Sequence, residues 1–273
     1  MKDYGISLKR QGHLAVITLE RPEKHNALDE HMWDCLDKVV AELKHSLPRV
    51  IVLTGDGDKA FCAGFDVNPE NPLLKPLLAA AESNDKGPAY DLIRRVRTST
   101  DSLVSLPVPI IAAINGLAYG GGAEIASRCD LRVMDPRAVI CFSEVRLGLM
   151  PDHGGVVGLT RLVGASRASD LILTARNVSA EEAFQLGLTN RISAPGKSLE
   201  EALSLALSIA ENGPRAVRHA LSVIRKTCDL TTREALELET EEAVTLIASG
   251  ESIHGVSAFL TRQKPDFPEP EGD

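Results

Sequence analysis

Apolar side chains in this sequence change their spacing several times, and each change predicts an element. Ile6-Ser-Leu-Lys-Arg10 and His13-Leu-Ala-Val-Ile-Thr-Leu19 read as two strands around the turn Gln11-Gly12. A polar loop from Glu20 to Leu28 ends at Asp29, an N-cap candidate. Met32, Leu36, Val39, Val40 and Leu43 follow at helical spacing, which predicts an amphipathic helix over about residues 30–44. The continuous apolar run Val50-Ile-Val-Leu-Thr54 predicts a buried strand, closed by Gly55-Asp-Gly57. Residues 68–88 hold Pro69, Pro72, Pro76 and Pro88 and read as a mobile surface insertion rather than a fold element. Helical spacing resumes from Tyr90 to Leu106 and stops at Pro107 and Pro109.

The most informative stretch runs from Pro109 to Asp130. Ile110-Ile-Ala-Ala-Ile114 reads as another buried strand, broken by Asn115-Gly116, a pair that tolerates positive φ. Gly120-Gly-Gly122 then leads into Ala123-Glu-Ile-Ala-Ser127, a short helical pattern. Glycines let backbone approach a ligand with no Cβ in the way, and the helix start behind them presents unpaired N–H groups and a positive dipole end. Leu131–Met134 and Val139–Phe142 read as strands on either side of Asp135-Pro136.

From Ser166 onward the pattern is helical. Ser179-Ala-Glu-Glu182, Ser198-Leu-Glu-Glu201 and Thr231-Thr-Arg-Glu234 have the capping-box form that starts a helix. Leu199, Ala202, Leu203, Ala206 and Ile209 make one apolar stripe; Leu236, Ala243, Val244 and Ile247 make a second. The expected organisation is therefore an α/β core over residues 1–195 and a C-terminal helical region over 196–273.

Composition narrows the function classes. The chain has 273 residues, 44% of them hydrophobic and 25% charged, as in an ordinary globular protein. Thirty basic against 38 acidic residues give a formal charge of −8, which argues against a nucleic acid as main ligand. No apolar run approaches the ~20 residues that span a bilayer, and Met1-Lys-Asp-Tyr-Gly-Ile-Ser7 has no signal-peptide core. Five scattered cysteines with no CxxC pair indicate neither a disulfide framework nor a zinc site, and a cytoplasmic location is expected.

Candidate chemistry gathers at two turns after two apolar strands, Cys62-Ala-Gly-Phe-Asp66 and Gly120-Gly-Gly-Ala-Glu124. Ligand sites in α/β sheets lie beyond the carboxyl ends of such strands. One N–H from each turn can cradle a carbonyl oxygen that is becoming an oxyanion. Glu124 and Glu144 can divide acid and base duties between them, although a solvated surface carboxylate is the commoner reading of any single glutamate. Asp152, in Met150-Pro-Asp-His-Gly-Gly155, reads as a third acid or as a helix N-cap. His153 beside it reads as a loop histidine, more often solvated than catalytic. The chain has no GxSxG, HExxH, Walker A or GxGxxG sequence, which disfavours hydride transfer and ATP hydrolysis.

These residues together resemble the crotonase (enoyl-CoA hydratase/isomerase) superfamily. The resemblance rests on an ordered set: Arg21-Pro-Glu-Lys-His-Asn-Ala-Leu28, Ala60-Phe-Cys-Ala-Gly-Phe-Asp66, Ala112-Ala-Ile-Asn-Gly116, Gly120–Glu124, Cys129-Asp130, Glu144 with Leu147-Gly148, and Pro151–Gly155. Arg161-Leu-Val-Gly164, Ala183-Phe-Gln-Leu-Gly-Leu188 and Ala258-Phe259 continue it. The resemblance implies a ββα spiral core with C-terminal helices that pack trimers, often paired into hexamers. It implies an acyl-CoA thioester as ligand, with no cofactor beyond the coenzyme A carried by the substrate, and no metal. Carried over, the oxyanion-hole N–H groups fall on Phe65 and Gly121. Lys24, Ala27, Ala63, Asp66 and Val67 fall on the CoA groove, and Lys264 on a lysine that reaches a CoA phosphate. Glu124 and Glu144 match the two hydratase glutamates, which add water across C2=C3 of a 2-enoyl-CoA. Asp152 matches an extra acid of dienoyl-CoA isomerases, so a double-bond isomerase using Glu144 and Asp152 is the alternative. A non-catalytic acyl-CoA binder is the alternative of another class. Phe65 is bulkier than the alanine usual in short-chain hydratases, which leaves acyl-chain length open.

Overall fold

The computed structural model describes residues 5–270; the N-terminal reading at Met1–Tyr4 lies outside them. The first hairpin is β1 (Gly5–Gln11) and β2 (Leu14–Glu20), followed by α1 (Glu30–His45). Asp29 caps α1 as expected, its side chain accepting the Met32 N–H at 3.0 Å. Next come β3 (Val50–Gly55), β4 (Ala60–Cys62), α2 (Leu74–Ser83) and α3 (Gly87–Val104). The pattern then recurs as β5 (Ile110–Ile114), β6 (Leu117–Tyr119) and α4 (Gly121–Arg128). It recurs again as β7 (Leu131–Met134), β8 (Val139–Cys141), α5 (Gly155–Val163) and α6 (Ala165–Thr174). Short elements β9 (Val178–Ser179), α7 (Ala180–Gln185) and β10 (Arg191–Ile192) complete this part. Four helices finish the chain: α8 (Ser198–Ala210), α9 (Pro214–Thr227), α10 (Thr232–Ala248) and α11 (Glu251–Thr261).

Each turn of this spiral gives one strand to each of two sheets. The six-stranded sheet has the order β1-β2-β3-β5-β7-β10, parallel except for the first hairpin. The four-stranded sheet has the order β4-β6-β8-β9, with β8 and β9 antiparallel. Both faces of β3 and β5 are covered, which explains their unbroken apolar sequences. Ile51 and Leu53 join Trp33, Phe61 and Phe142 in the larger core. Val50 and Val52 turn the other way, onto Ala202, Ala206 and Ala210 of α8. Small residues on α8 let it lie close against the sheet, so the helical region from residue 196 opens as a layer of the core. Truncating Trp33 or Phe61, both fully buried, costs about 3–5 kcal/mol.

Two expectations fail. Residues 68–88 were expected to hold no fold element, yet they contain α2 and the start of α3. Pro76 stands third in α2 and Pro88 second in α3, in first turns whose N–H groups have no intrahelical acceptor, so neither proline breaks its helix. Leu77 and Leu73 anchor α2 on the core. The capping box at Ser198–Glu201 is also absent: Ser198 is itself the first helical residue, buried, and Lys197 precedes it. The boxes at Ser179 and Thr231 do place their side-chain caps, and Thr231 with Glu234 closes a full reciprocal pair.

Among the described residues, no single helix is long and apolar enough to cross a membrane. The second apolar stripe meets no core. Leu236, Val244 and Ile247 of α10 and Ile253, Phe259 and Leu260 of α11 are exposed.

Candidate active site

The two glycine turns meet because β4 and β6 are neighbours in the four-stranded sheet. Gly64 has φ +88°, and a Cβ there would lie 2.7 Å from the Gly121 nitrogen and 2.7 Å from the Tyr119 oxygen. Gly120 has φ +50° and starts α4. A Cβ on Gly122 would fall 2.1 Å from the Cys62 carbonyl oxygen, so the third glycine is what lets α4 close onto β4. Leu28 N–H donates to the Gly64 carbonyl at 2.8 Å, and Asp66 N–H donates to the Leu28 carbonyl at 2.9 Å. This bridge leaves the Phe65 N–H on the opposite side. Among the described residues, neither the Phe65 nor the Gly121 N–H donates to a protein acceptor.

Glu124 stands in the first turn of α4, where a negative charge suits the helix dipole. Its Oε2 accepts the N–H groups of His153 and Gly155, both at 2.8 Å. A Cβ on Gly155 would lie 2.4 Å from Glu124 Cγ, so glycine is needed for this anchor. Oε1 takes neither of these N–H groups and lies 3.9 Å from His153 Nδ1. Glu144 opens a 3-10 turn, Glu144–Leu147, after β8. Both of its carboxylate oxygens are buried without a hydrogen-bond partner. They sit by the glycine turn, since a Cβ on Gly120 would be 3.5 Å from Glu144 Oε1. Burial, and then the nearby Glu144 charge, pushes the Glu124 carboxyl up to about 8. Burial also raises Glu144. The two carboxyls titrate as a coupled pair, and the shift belongs to the pair rather than to either residue alone.

The loop before α5 adds two groups. Asp152 lies in the loop as an acid and does not cap α5, a place taken by Gly154; burial raises its carboxyl. Its Oδ1 lies 3.1 Å from His153 Nε2. His153 departs from the solvated loop residue its sequence suggested: it is 5% exposed, packed edge-on at 88° against Trp33, ring centres 5.7 Å apart. Burial lowers its pKa despite the neighbouring Asp152. Its sequence carried one signal, adjacency to an acid in a glycine-flanked loop, but burial there depends on Trp33 of α1. Glu124, Asp152 and His153 converge closely enough to suggest a cation site, their facing atoms all within 4.8 Å of one another. Glu124 Oε2 and His153 Nε2 are already engaged by protein partners, so the group is better described as an acid–imidazole network.

The expected CoA-groove residues lie on two strips of chain joined by the Leu28–Phe65 bridge. Ala63 N–H donates to the His25 carbonyl at 2.9 Å. Arg21, given no role from the sequence, ties the strips together: it contacts Asp66 at 2.6 Å, Asp29 at 3.3 Å and the Ala27 carbonyl at 3.1 Å. Burial alone would raise Asp66, but the Asn68 N–H and the Arg21 guanidinium outweigh it and hold the carboxyl below its usual range. Lys24 and Asp66 line a cavity of about 340 Å³ here, and Val67 is exposed. Lys264 is brought to none of these residues; it pairs with Glu211 at 2.6 Å. A larger cavity of about 820 Å³ lies against α3, α5 and α9 and is lined by Asp152, Met150, Val157 and Ile224, but not by Glu124 or Glu144.

A spiral of paired strands and helices, with two glycine turns and a buried acid pair beside them, is the architecture of the crotonase class. The enoyl-CoA hydratase/isomerase family pattern matches residues 9–270, and the chain belongs to that family. A short-chain-enoyl-CoA hydratase of Clostridium acetobutylicum is 34% identical over 262 residues, 95% of each chain. A carnitinyl-CoA dehydratase of Salmonella arizonae is 30% identical over 267 residues, 96% of this chain and 97% of that one. The crystal structure of an enoyl-CoA hydratase from Bacillus anthracis superposes with a TM-score of 0.86 at 32% identity, covering 96% of this chain and 98% of that one.

Proposed function

We propose that this chain is an enoyl-CoA hydratase that adds water across C2=C3 of a 2-enoyl-CoA. The observation that carries the reading is the acid pair: Glu144 with both oxygens buried and given no donor, beside Glu124 with one oxygen pinned by two backbone N–H groups and the other by neither. In this reading the ionised carboxyl takes a proton from water as the oxygen bonds to C3. The protonated carboxyl gives its proton to C2. Electron density from C=C moves onto the thioester oxygen, where the Phe65 and Gly121 N–H groups meet the enolate; collapse of the enolate accompanies protonation at C2. Water is consumed and the pair ends with the same number of protons. Lys24, Ala27, Ala63, Asp66 and Val67 would hold the CoA portion. Lys264 would contribute only if carried to the groove of another copy, consistent with a trimer or hexamer built on α10 and α11.

The test follows the ultraviolet absorbance of the conjugated thioester with crotonyl-CoA and a longer 2-enoyl-CoA. Loss of absorbance that disappears in Glu124→Gln and Glu144→Gln supports the hydratase. Absorbance gained from a 3-enoyl-CoA, or shifted with a 3,5-dienoyl-CoA, replaces it with the isomerase reading through Glu144 and Asp152. Binding of CoA esters with no change in any of them leaves a non-catalytic acyl-CoA binder.

A further inference from the structure

The end of the molecule away from the acid pair holds a concentration of positive charge that the proposed reaction does not use. Strand β3 runs from Val50 to Gly55, and its carboxyl end adjoins residues 24–28, where Asn26 Nδ2 donates to the Asp56 carbonyl at 3.0 Å. Six residues at about 3.3 Å each put roughly 17–20 Å between the two ends of the strand. At its amino end lies a cavity of about 680 Å³, between the β1–β2 turn, the end of α1 and α9. Arg10, Lys44, Arg49 and Arg218 line it with His13 and His45, against a single carboxylate, Glu269. The chain as a whole carries −8, so the sign of the charge is reversed here.

Ordinary structural roles account for part of this charge. Lys44 and His45 stand in the last turn of α1, where cations suit the helix dipole, and Arg10 lies 3.7 Å from Glu42 at the rim. Arg49 needs a further account. Its side chain is 8% exposed; Nη1 donates to the Ala210 carbonyl at 2.9 Å and Nη2 to the Phe267 carbonyl at 2.7 Å. The guanidinium is thus fixed by neutral main-chain acceptors, and only Nε is turned to a charge, Glu269 Oε1 at 2.9 Å. That same oxygen lies 2.7 Å from His13 Nδ1. A carboxylate from the chain's tail therefore already sits as a bound anion between a buried guanidinium and an imidazole, with half of its own side chain in solvent. It leaves most of the surrounding charge unanswered: among the described residues, no acid pairs with Lys44 or His45.

We infer that this cavity is a second anion site, suited to a ligand carrying two or more linked phosphates, and that Glu269 is the chain's own competitor for it. Clefts lined by one sign of charge focus the field and raise the local concentration of a counter-ion. An ion pair with a half-exposed partner is screened and weak, whereas phosphate oxygens take strong charge-assisted hydrogen bonds from arginine and lysine. One phosphate takes the place of the Glu269 carboxylate between Arg49 Nε and His13. The next is met by Lys44 and Arg10 on the same cavity wall. Arg49 keeps its position during the exchange, because both Nη contacts are to main-chain carbonyls that stay where they are. The volume lies within the roughly 300–1,000 Å³ of small-molecule sites, more room than one phosphate fills.

The inference is independent of the hydratase reading, and equilibrium dialysis of the full chain against radiolabelled pyrophosphate tests it. Pyrophosphate should bind at least about fivefold more tightly than inorganic phosphate, since it meets more of the cavity's cations. Arg10→Gln and Lys44→Gln, at exposed positions outside the core, should each weaken binding about three- to fivefold. Glu269→Gln should strengthen it by a similar factor, because the competing carboxylate is gone. Lys24→Gln, in the groove at the other end of β3, should leave it unchanged. No bound pyrophosphate, equal affinity for the two anions, or a loss in Lys24→Gln that is missing in Lys44→Gln overturns the site. Unchanged or weaker binding in Glu269→Gln overturns the competition. A chain inactive on every enoyl-CoA refutes the hydratase reading and leaves these affinities to decide the second site.

Discussion

The wall formed by Glu124, Glu144 and His153 buries polar atoms that have no protein partner, whereas helices α10 and α11 hold apolar side chains out in solvent. Both break the ordinary rule for their residue type, and in opposite senses. Orphaned polar atoms in a closed space raise carboxyl pKa values and aim lone pairs at whatever enters. Exposed apolar atoms in a row, with Phe259 82% and Leu260 75% exposed, lower their free energy only by meeting another surface. The contrast also separates two identical-looking sequence stripes. The stripe of α8 carries alanines and closes onto the six-stranded sheet, while that of α10 carries larger side chains and points away from it. In the proposed reading the first kind of unsatisfied region serves the chemistry and the second an assembly of chains.

That comparison can be broken most severely at Glu144. Glu144→Gln keeps the shape of the side chain but removes its proton transfer, and hydration should fall by about 10²–10⁴ with thioester binding nearly intact. Stopped-flow or steady-state absorbance reads the loss, and retained activity would remove Glu144 from the mechanism. Gly64→Ala is the next largest. A side chain at φ +88° and 2.7 Å from the Gly121 nitrogen must push the two turns apart. The expected cost in kcat is about 10²–10³, as for removing one oxyanion donor. Unchanged kcat in a folded variant would mean that these turns do not meet the thioester oxygen.

On the apolar side, the double substitution Ile247→Asp with Phe259→Asp should leave the circular dichroism of the chain unaltered, because neither side chain lies in the core. Sedimentation should shift from an assembly to a single chain; an unshifted boundary would show that α10 and α11 cover nothing. The smallest effect is on stability. Glu124 ionises near 8 when folded against an ordinary 4.5, so the folded chain keeps a proton that the unfolded chain releases. Stability therefore falls as pH rises from about 4.5 to about 8, and Glu124→Gln should flatten that fall. Melting curves would show it as about 2–4 °C per kcal/mol. Equal slopes in the two proteins would place the Glu124 carboxyl near its ordinary pKa.

Much of this was legible in the linear pattern. The buried strands at Val50 and Ile110 announced themselves as unbroken apolar runs because both faces of the sheet are covered. The glycine turns, the cap at Asp29 and the two glutamates depend on local backbone requirements, which sequence records directly. Residues 68–88 misled because proline density signals loops, while tolerance of proline depends on its place within a helix turn, and that place is fixed by how Leu73 and Leu77 dock. His153 misled for a related reason. A histidine's neighbours in sequence say that an acid is beside it, but only packing against Trp33, 120 positions earlier, removes it from water. Sequence by itself determined which residues could bend, cap, bury and ionise in this protein. Tertiary structure alone decided which of them share a closed space, because desolvation and charge–charge coupling act through distance and burial, neither of which a linear order contains.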